Sequence, residues 1–118
     1  MENSKKVLFV DDDVLFATSV GYIIKGLYNI EIDIAASPSE AYNKIKSKKF
    51  DIVFCDTEMP EMFGYELKER LDKEKIEIPF IGMSSDEKYE NKWKNLGCDF
   101  IQKGDKFYRQ LKCVLESD

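Results

Sequence analysis

The alternation of apolar runs and polar breaks along the chain predicts five strand-then-helix units. Lys5 to Val10 (KKVLFV) is a short apolar run of strand-favouring residues, and Asp11-Asp12-Asp13 ends it. From Val14 to Leu27 apolar residues recur at helical spacing, at Leu15, Phe16, Val20, Ile23, Ile24 and Leu27. Asn29 to Ala35 (NIEIDIA) alternates strictly, as suits an edge strand with one wetter face. Ser37-Pro38-Ser39-Glu40 opens a second helix, with Ser37 as cap, Pro38 at the first helical position and Glu40 three residues past the cap. That helix runs to about Lys48 and is expected to bury Ala41, Tyr42 and Ile45.

Asp51 to Cys55 (DIVFC) is a five-residue apolar run, too short for a buried helix and well suited to a strand covered on both faces. Asp56 stands at its carboxyl end, and Pro60 and Gly64 shape a turn before a helix from about Phe63 to Glu74 with Leu67 and Leu71 inward. Ile78 to Met83 predicts a fourth strand, closed by Ser84-Ser85-Asp86. Glu87 to Leu96 predicts a mostly polar helix with an i,i+4 pair, Glu90 and Lys94, and a left-handed stop at Gly97. Asp99 to Gln102 predicts a fifth strand, ending at Lys103-Gly104. Asp105 is expected to cap a last helix whose inner face is Phe107, Leu111, Val114 and Leu115. Strict strand–helix alternation with right-handed crossovers gives an α/β three-layer sandwich, a parallel sheet with helices on both faces.

Composition narrows the partners. The 118 residues are 43% hydrophobic and 35% charged, read as one globular domain over 1–118. The net charge of −5 argues against nucleic acid as a direct partner. The basic run from Lys44 to Lys49 falls at a helix C-terminus, where cations favour the dipole. No stretch approaches a membrane span in length, and the first residues carry no apolar signal region, so neither membrane nor export is expected. Cys55, Cys98 and Cys113 are widely spaced in apolar contexts and are read as buried, reduced thiols of a cytoplasmic protein. Histidine is absent, so base, ligand or phosphoryl-donor roles must fall to carboxylates, hydroxyls, lysine or a partner.

In a parallel sheet, strand carboxyl ends share one edge, where ligands collect. Here that edge would gather Asp11 and Asp12, Asp56, Ser84 and Lys103. Converging carboxylates repel one another, and a hard divalent cation relieves that repulsion; oxygen-only ligands suit Mg²⁺. A hydroxyl and an ammonium facing the same point are what the oxygens of a transferred phosphoryl group need. A carboxylate can itself attack phosphorus. The set therefore points to Mg²⁺-assisted phosphoryl transfer onto an aspartate. Asp13 is expected to cap the first helix.

The stretches VLFVDDD, DIVFCDTEMPEMFGYEL, PFIGMSS and GCDFIQK, in this order and at these strand ends, resemble the receiver domain of response regulators in two-component signalling, over nearly the whole chain. The resemblance implies a flavodoxin-like fold with strand order 2-1-3-4-5 and five helices. It also implies a signalling phosphoacceptor rather than an enzyme, with Asp56 taking phosphate from a histidine kinase or histidine phosphotransfer protein. Asp11, Asp12, Asp56 and the main-chain carbonyl of Glu58 would hold Mg²⁺, with Asp11 assisting. Ser84 and Lys103 would contact the phosphoryl oxygens, and Ser84 and Phe100 would form the switch that alters a surface for a downstream effector or output domain. Glu58 lies where the family varies and where the side chain tunes dephosphorylation.

Two departures stand out. Lys103 is followed by Gly104, where the family usually has a proline joined by a cis bond, and the intervals around Ser84 are shorter than usual, which implies a trimmed fourth helix. Tyr89, Trp93, Phe100 and Tyr108 are candidates for the output surface. Two other readings use the same residues. A haloacid-dehalogenase-like phosphatase would use Asp11 as nucleophile within Asp11-Asp12-Asp13-Val14-Leu15, and a receiver-like binding module would carry no phosphate.

Overall fold

The computed structural model describes residues 4–117. The strands are β1 (Lys5–Val10), β2 (Ile30–Ala35), β3 (Ile52–Asp56), β4 (Phe80–Ser84) and β5 (Asp99–Gln102). They alternate with helices α1 (Val14–Leu27), α2 (Pro38–Ser47), α3 (Gly64–Lys73), α4 (Glu90–Asn95) and α5 (Phe107–Glu116). The strands form one parallel sheet in the order β2-β1-β3-β4-β5, as the resemblance implied.

The apolar runs read as strands because both faces are buried. Successive residues of β1 go to opposite sides: Val7 and Phe9 join a core with Ala17, Val20 and Ile24 of α1 and Phe107, Leu111 and Leu115 of α5. Leu8 and Val10 face the other core, with Ala41 and Ile45 of α2, Leu67 and Leu71 of α3, and Trp93 of α4. Helix ends follow local chemistry. Ser37 Oγ accepts from the Glu40 N–H at 3.1 Å and Glu40 accepts from Ala36 N–H at 2.9 Å, so the expected start of α2 is present. Gly97, at φ 78°, provides the left-handed turn after α4.

The inward face of α1 is Ala17, Val20, Gly21 and Ile24, while Leu15 (83% exposed), Ile23 and Leu27 face outward. Three expectations fail. Asp105 does not cap α5; the chain turns through 104–106, Phe107 N–H donates to the Gly104 carbonyl, and α5 starts at Phe107 without a side-chain cap. Cys113 is exposed, because it lies between the buried Leu111 and Leu115 on the outer side of α5; Cys55 and Cys98 are buried. Tyr42 is only half-buried, with its hydroxyl donated to Glu74 at 2.6 Å. The expected helix from Glu87 to Leu96 is a 3-10 turn over Glu87–Tyr89 followed by the six-residue α4, so the fourth helix is indeed short.

Candidate functional site

The sheet register brings the candidate residues together. Val10 pairs with Cys55, Asp56 with Met83, and Ser84 with Gln102, so Asp11, Asp56, Ser84 and Lys103 emerge along one edge. Two further main-chain bonds carry the ladder past the strands: Asp11 N–H donates to Ala35 at 3.0 Å and Lys103 N–H to Ser84 at 2.8 Å. The second aims the Lys103 side chain back across the sheet edge. Asp56 then leads into a turn that only a glycine closes. A Cβ at Gly64 would lie 2.0 Å from the Asp56 carbonyl oxygen, and the Gly64 N–H donates to the Thr57 carbonyl at 2.7 Å.

Three carboxylates converge at this edge. One oxygen from each of Asp11, Asp12 and Asp56 lies within 4.8 Å of the others. Asp11 is fully buried, Asp56 is 8% exposed, and Asp12 is exposed at the rim. Lys103 Nζ bridges the inner pair, 2.7 Å from Asp11 Oδ2 and 3.0 Å from Asp56 Oδ1, with its charge 4.6 Å from the Phe16 ring centroid. The second Asp11 oxygen accepts the Asp13 N–H at 3.0 Å. Asp13 itself caps α1 by accepting the Phe16 N–H at 3.1 Å, as expected.

Electrostatics at Asp56 are finely opposed. Burial, and then the Asp11 charge, push the Asp56 pKa from 3.8 up to about 6 against the pull of Lys103. For Lys103, burial disfavours the ammonium, but its bonds to Asp11 and the charges of both carboxylates outweigh that and hold it above its ordinary value. A surplus of negative charge around one ammonium, with the third carboxylate exposed, is a donor set that fits a hard cation. Asp11, Asp12 and Asp56 supply oxygens only, which suits Mg²⁺ rather than a softer metal.

The other expected residues lie nearby in different settings. Ser84 is buried, and its Oγ accepts the Asp86 N–H at 3.0 Å, which leaves its own proton free. Phe100 is half-buried on β5, packed against the core that contains Trp93. Glu58 is exposed two residues after Asp56, and its carboxylate accepts the Tyr89 hydroxyl at 2.9 Å. The described residues contain no cis peptide bond, and Lys103 still reaches both carboxylates with Gly104 after it. Of the aromatic candidates for an output surface, Trp93 is fully buried, Tyr89 is half-buried and Tyr108 is 42% exposed. Sequence reasoning missed Thr57. It is fully buried, donates to the Met83 carbonyl at 2.7 Å and accepts the Trp93 indole N–H at 2.8 Å. A hydroxyl next to Asp56 inside an apolar strand end was the available signal.

A fold of this order with acids, a hydroxyl and a lysine at one edge defines a class, and the comparisons agree with it. The response regulator receiver domain model matches residues 7–108, and the chain belongs to that family. It is 36% identical over 104 residues to a protein-glutamate methylesterase/protein-glutamine glutaminase of Treponema denticola, covering 83% of this chain and 28% of that protein. A protein of the same description from Clostridium acetobutylicum is 37% identical over 113 residues, covering 91% of this chain and 33% of that one. The chain thus spans a third or less of the length of these two relatives. Among solved structures, a CheY-like receiver domain protein of Methanospirillum hungatei has a TM-score of 0.84 at 29% identity, with 97% of this chain and 93% of that one covered. The Thermotoga maritima response regulator TrrA, solved in complex with Mg²⁺-BeF, has a TM-score of 0.83 at 25% identity, with 95% and 97% covered. The phosphatase reading built on Asp11 is not supported by these matches.

Proposed function

We propose that this receiver domain accepts a phosphoryl group on Asp56, with Mg²⁺ bound beside it, from the phosphohistidine of a histidine kinase or histidine phosphotransfer protein. The observation that carries the proposal is the bridge from Lys103 to Asp11 and Asp56 within a cluster of three carboxylates. The Mg²⁺-BeF complex of the similar TrrA supports the same assignment of chemistry.

Asp11, Asp12, Asp56 and the Glu58 main-chain carbonyl would hold the cation. When bound, Mg²⁺ offsets the carboxylate charge and stabilises the negative charge on the phosphoryl oxygens. An Asp56 carboxylate oxygen attacks phosphorus; the new P–O bond forms as the P–N bond to the donor imidazole breaks, and the electron pair stays on that nitrogen. Lys103 transfers its contact from the free Asp56 oxygen to a phosphoryl oxygen. Ser84, whose oxygen already accepts from Asp86, has its proton available for a second phosphoryl oxygen. Movement of Ser84 toward that oxygen, with Phe100 following on β5, is the switch that alters the surface read by a downstream effector or output domain.

The domain acts as a signalling phosphoacceptor whose only catalysis is its own phosphorylation and dephosphorylation, in the cytoplasm, with no nucleic acid or membrane bound by this part. Among the described residues no helix is long and apolar enough to cross a membrane. The test is incubation with Mg²⁺ and acetyl phosphate, followed by mass-spectrometric mapping of acid-labile label. Label on Asp56, abolished by Asp56→Asn, is expected. Label on Asp11 would restore the phosphatase reading, and no label on the folded, Mg²⁺-loaded protein would leave a phosphate-independent binding module.

A further inference from the structure

The segment between β4 and β5 grips the acceptor loop at two points. Tyr89, at the end of the 3-10 turn, donates its hydroxyl to Glu58 Oε2 at 2.9 Å. Trp93, in α4, donates its indole N–H to Thr57 Oγ1 at 2.8 Å, and that hydroxyl donates onward to the Met83 carbonyl at 2.7 Å. Tyr89 and Trp93 are four residues apart, so they share one face of the segment. Their acceptors, Thr57 and Glu58, are the two residues that follow Asp56 directly.

Both donors are held by packing. Trp93 is the one buried residue of α4; its ring lies over Gly82, where a Cβ would come within 2.2 Å of it, and it stacks 6.2 Å from Phe80. The Tyr89 ring lies 6.1 Å from Phe63 and 6.4 Å from Tyr65. The inner bond is buried and leaves no polar atom unpaired, while the outer one fixes an otherwise solvent-exposed glutamate.

We propose that Tyr89 is a positioning residue for the cation. Together with Trp93 it clamps residues 57 and 58, so that the main-chain carbonyl of Glu58 is already in place when Mg²⁺ arrives. This inference rests on the Mg²⁺ site proposed above. A loop carbonyl that must be ordered on binding costs affinity through lost backbone freedom, and a clamp formed beforehand removes part of that cost. Coupling of this kind is reciprocal: a clamp that favours the cation is itself tightened by it, so Mg²⁺ orders α4.

Tyr89→Phe keeps the ring and deletes the hydroxyl. Mg²⁺ binding is followed by calorimetry and by the emission of Trp93, the single tryptophan, and hydrogen exchange over residues 87–95 is compared with and without Mg²⁺. The expected result is Mg²⁺ affinity lower by about two- to tenfold in Tyr89→Phe, the equivalent of one net hydrogen bond. Mg²⁺ also slows exchange over 87–95 in the parent protein, and less so in the variant. A hydroxyl with only a structural role would shift the urea midpoint and leave the Mg²⁺ affinity alone. Equal affinity in the two folded proteins, or no Mg²⁺-dependent protection of α4 in the parent, overturns the clamp. A parent protein that binds no Mg²⁺ overturns the proposed function as well, and the two failures are told apart by that parent titration.

Discussion

Asp56→Asn should make the metal-free protein more stable at neutral pH, and the gain should vanish in acid. The Asp56 carboxyl has its pKa raised from 3.8 to about 6, by burial first and by Asp11 second. Below about pH 4 both folded and unfolded chains hold the proton, and the site carries no penalty. As pH rises through the window from about 4 to 6, the unfolded chain releases its proton first, so the folded state loses stability; above about 6 the loss is complete. A pKa displaced from 3.8 to about 6 corresponds to about 3 kcal/mol, a large share of a typical domain's stability. Asparagine keeps the shape and an oxygen for Lys103 but carries no charge. The expected gain is about 1–2 kcal/mol at pH 7.5, below the full figure because the buried asparagine amide is itself polar and must be desolvated. The assay is urea unfolding of both proteins at pH 4, 5, 6 and 7.5 in the presence of a chelator. A gain of about 2 kcal/mol moves the midpoint by roughly 1 M at ordinary urea slopes. Equal stability at pH 7.5, or the same gain persisting at pH 4, would refute the account of strained charge at Asp56.

Three further perturbations test the same geometry. Gly64→Ala places a Cβ 2.0 Å from the Asp56 carbonyl oxygen, a backbone atom that cannot yield, so a loss of about 2 kcal/mol or more is expected in thermal melts; a variant as stable as the parent would contradict the tight turn. Lys103→Met leaves the buried Asp11 and Asp56 carboxylates facing each other without their cation, and should destabilise the metal-free protein by about 2 kcal/mol or more at pH 7.5 and slow labelling by acetyl phosphate, both read against the parent; unchanged stability would mean the bridge carries no weight. Thiol titration of the native protein should find Cys113 reactive at once and Cys55 and Cys98 only after unfolding, since burial also pushes the Cys55 thiol well up; three fast thiols would contradict the packing of both cores.

The fold was legible where burial is two-sided. VLFV, IVFC and FIGM are continuous apolar runs because each strand is covered on both faces, and a parallel sheet then fixes which residues meet at its edge. That is why the sequence alone groups Asp11, Asp12, Asp56, Ser84 and Lys103. The helix faces were harder to read. In α1 the apolar residues point both ways: Phe16, Val20 and Ile24 pack on the core with Ala17 and Gly21, while Leu15, Ile23 and Leu27 face outward. Apolar residues on two sides of a helix do not by themselves say which side meets the sheet. Asp105 matched a cap by spacing, yet the turn between β5 and α5 displaced the helix start by one residue. The bonds of Thr57 and Tyr89 were out of reach for another reason: they cross from the end of β3 to β4 and to the segment 87–95, and only the register shows which loop lies under which helix.

The shortened fourth helix acquires a meaning from that crossing. α1 runs for 14 residues and buries Ala17, Val20, Gly21 and Ile24, whereas α4 runs for six and buries Trp93 alone. A helix of six residues has little stability of its own and stays folded through its tertiary contacts. Here those contacts include Thr57, Glu58 and Gly82, each within two residues of Asp56 or Ser84, beside the aromatic packing of Tyr89 and Trp93 on Phe63, Tyr65 and Phe80. Part of the free energy needed to open this segment is therefore drawn from the strand ends that carry the proposed phosphorylation chemistry. Segments of low local stability are the ones a ligand worth one or two kcal/mol can redistribute. A long, well-buried α4 would hold its place regardless of Asp56, whereas a short one shares part of its support with the residues that follow Asp56.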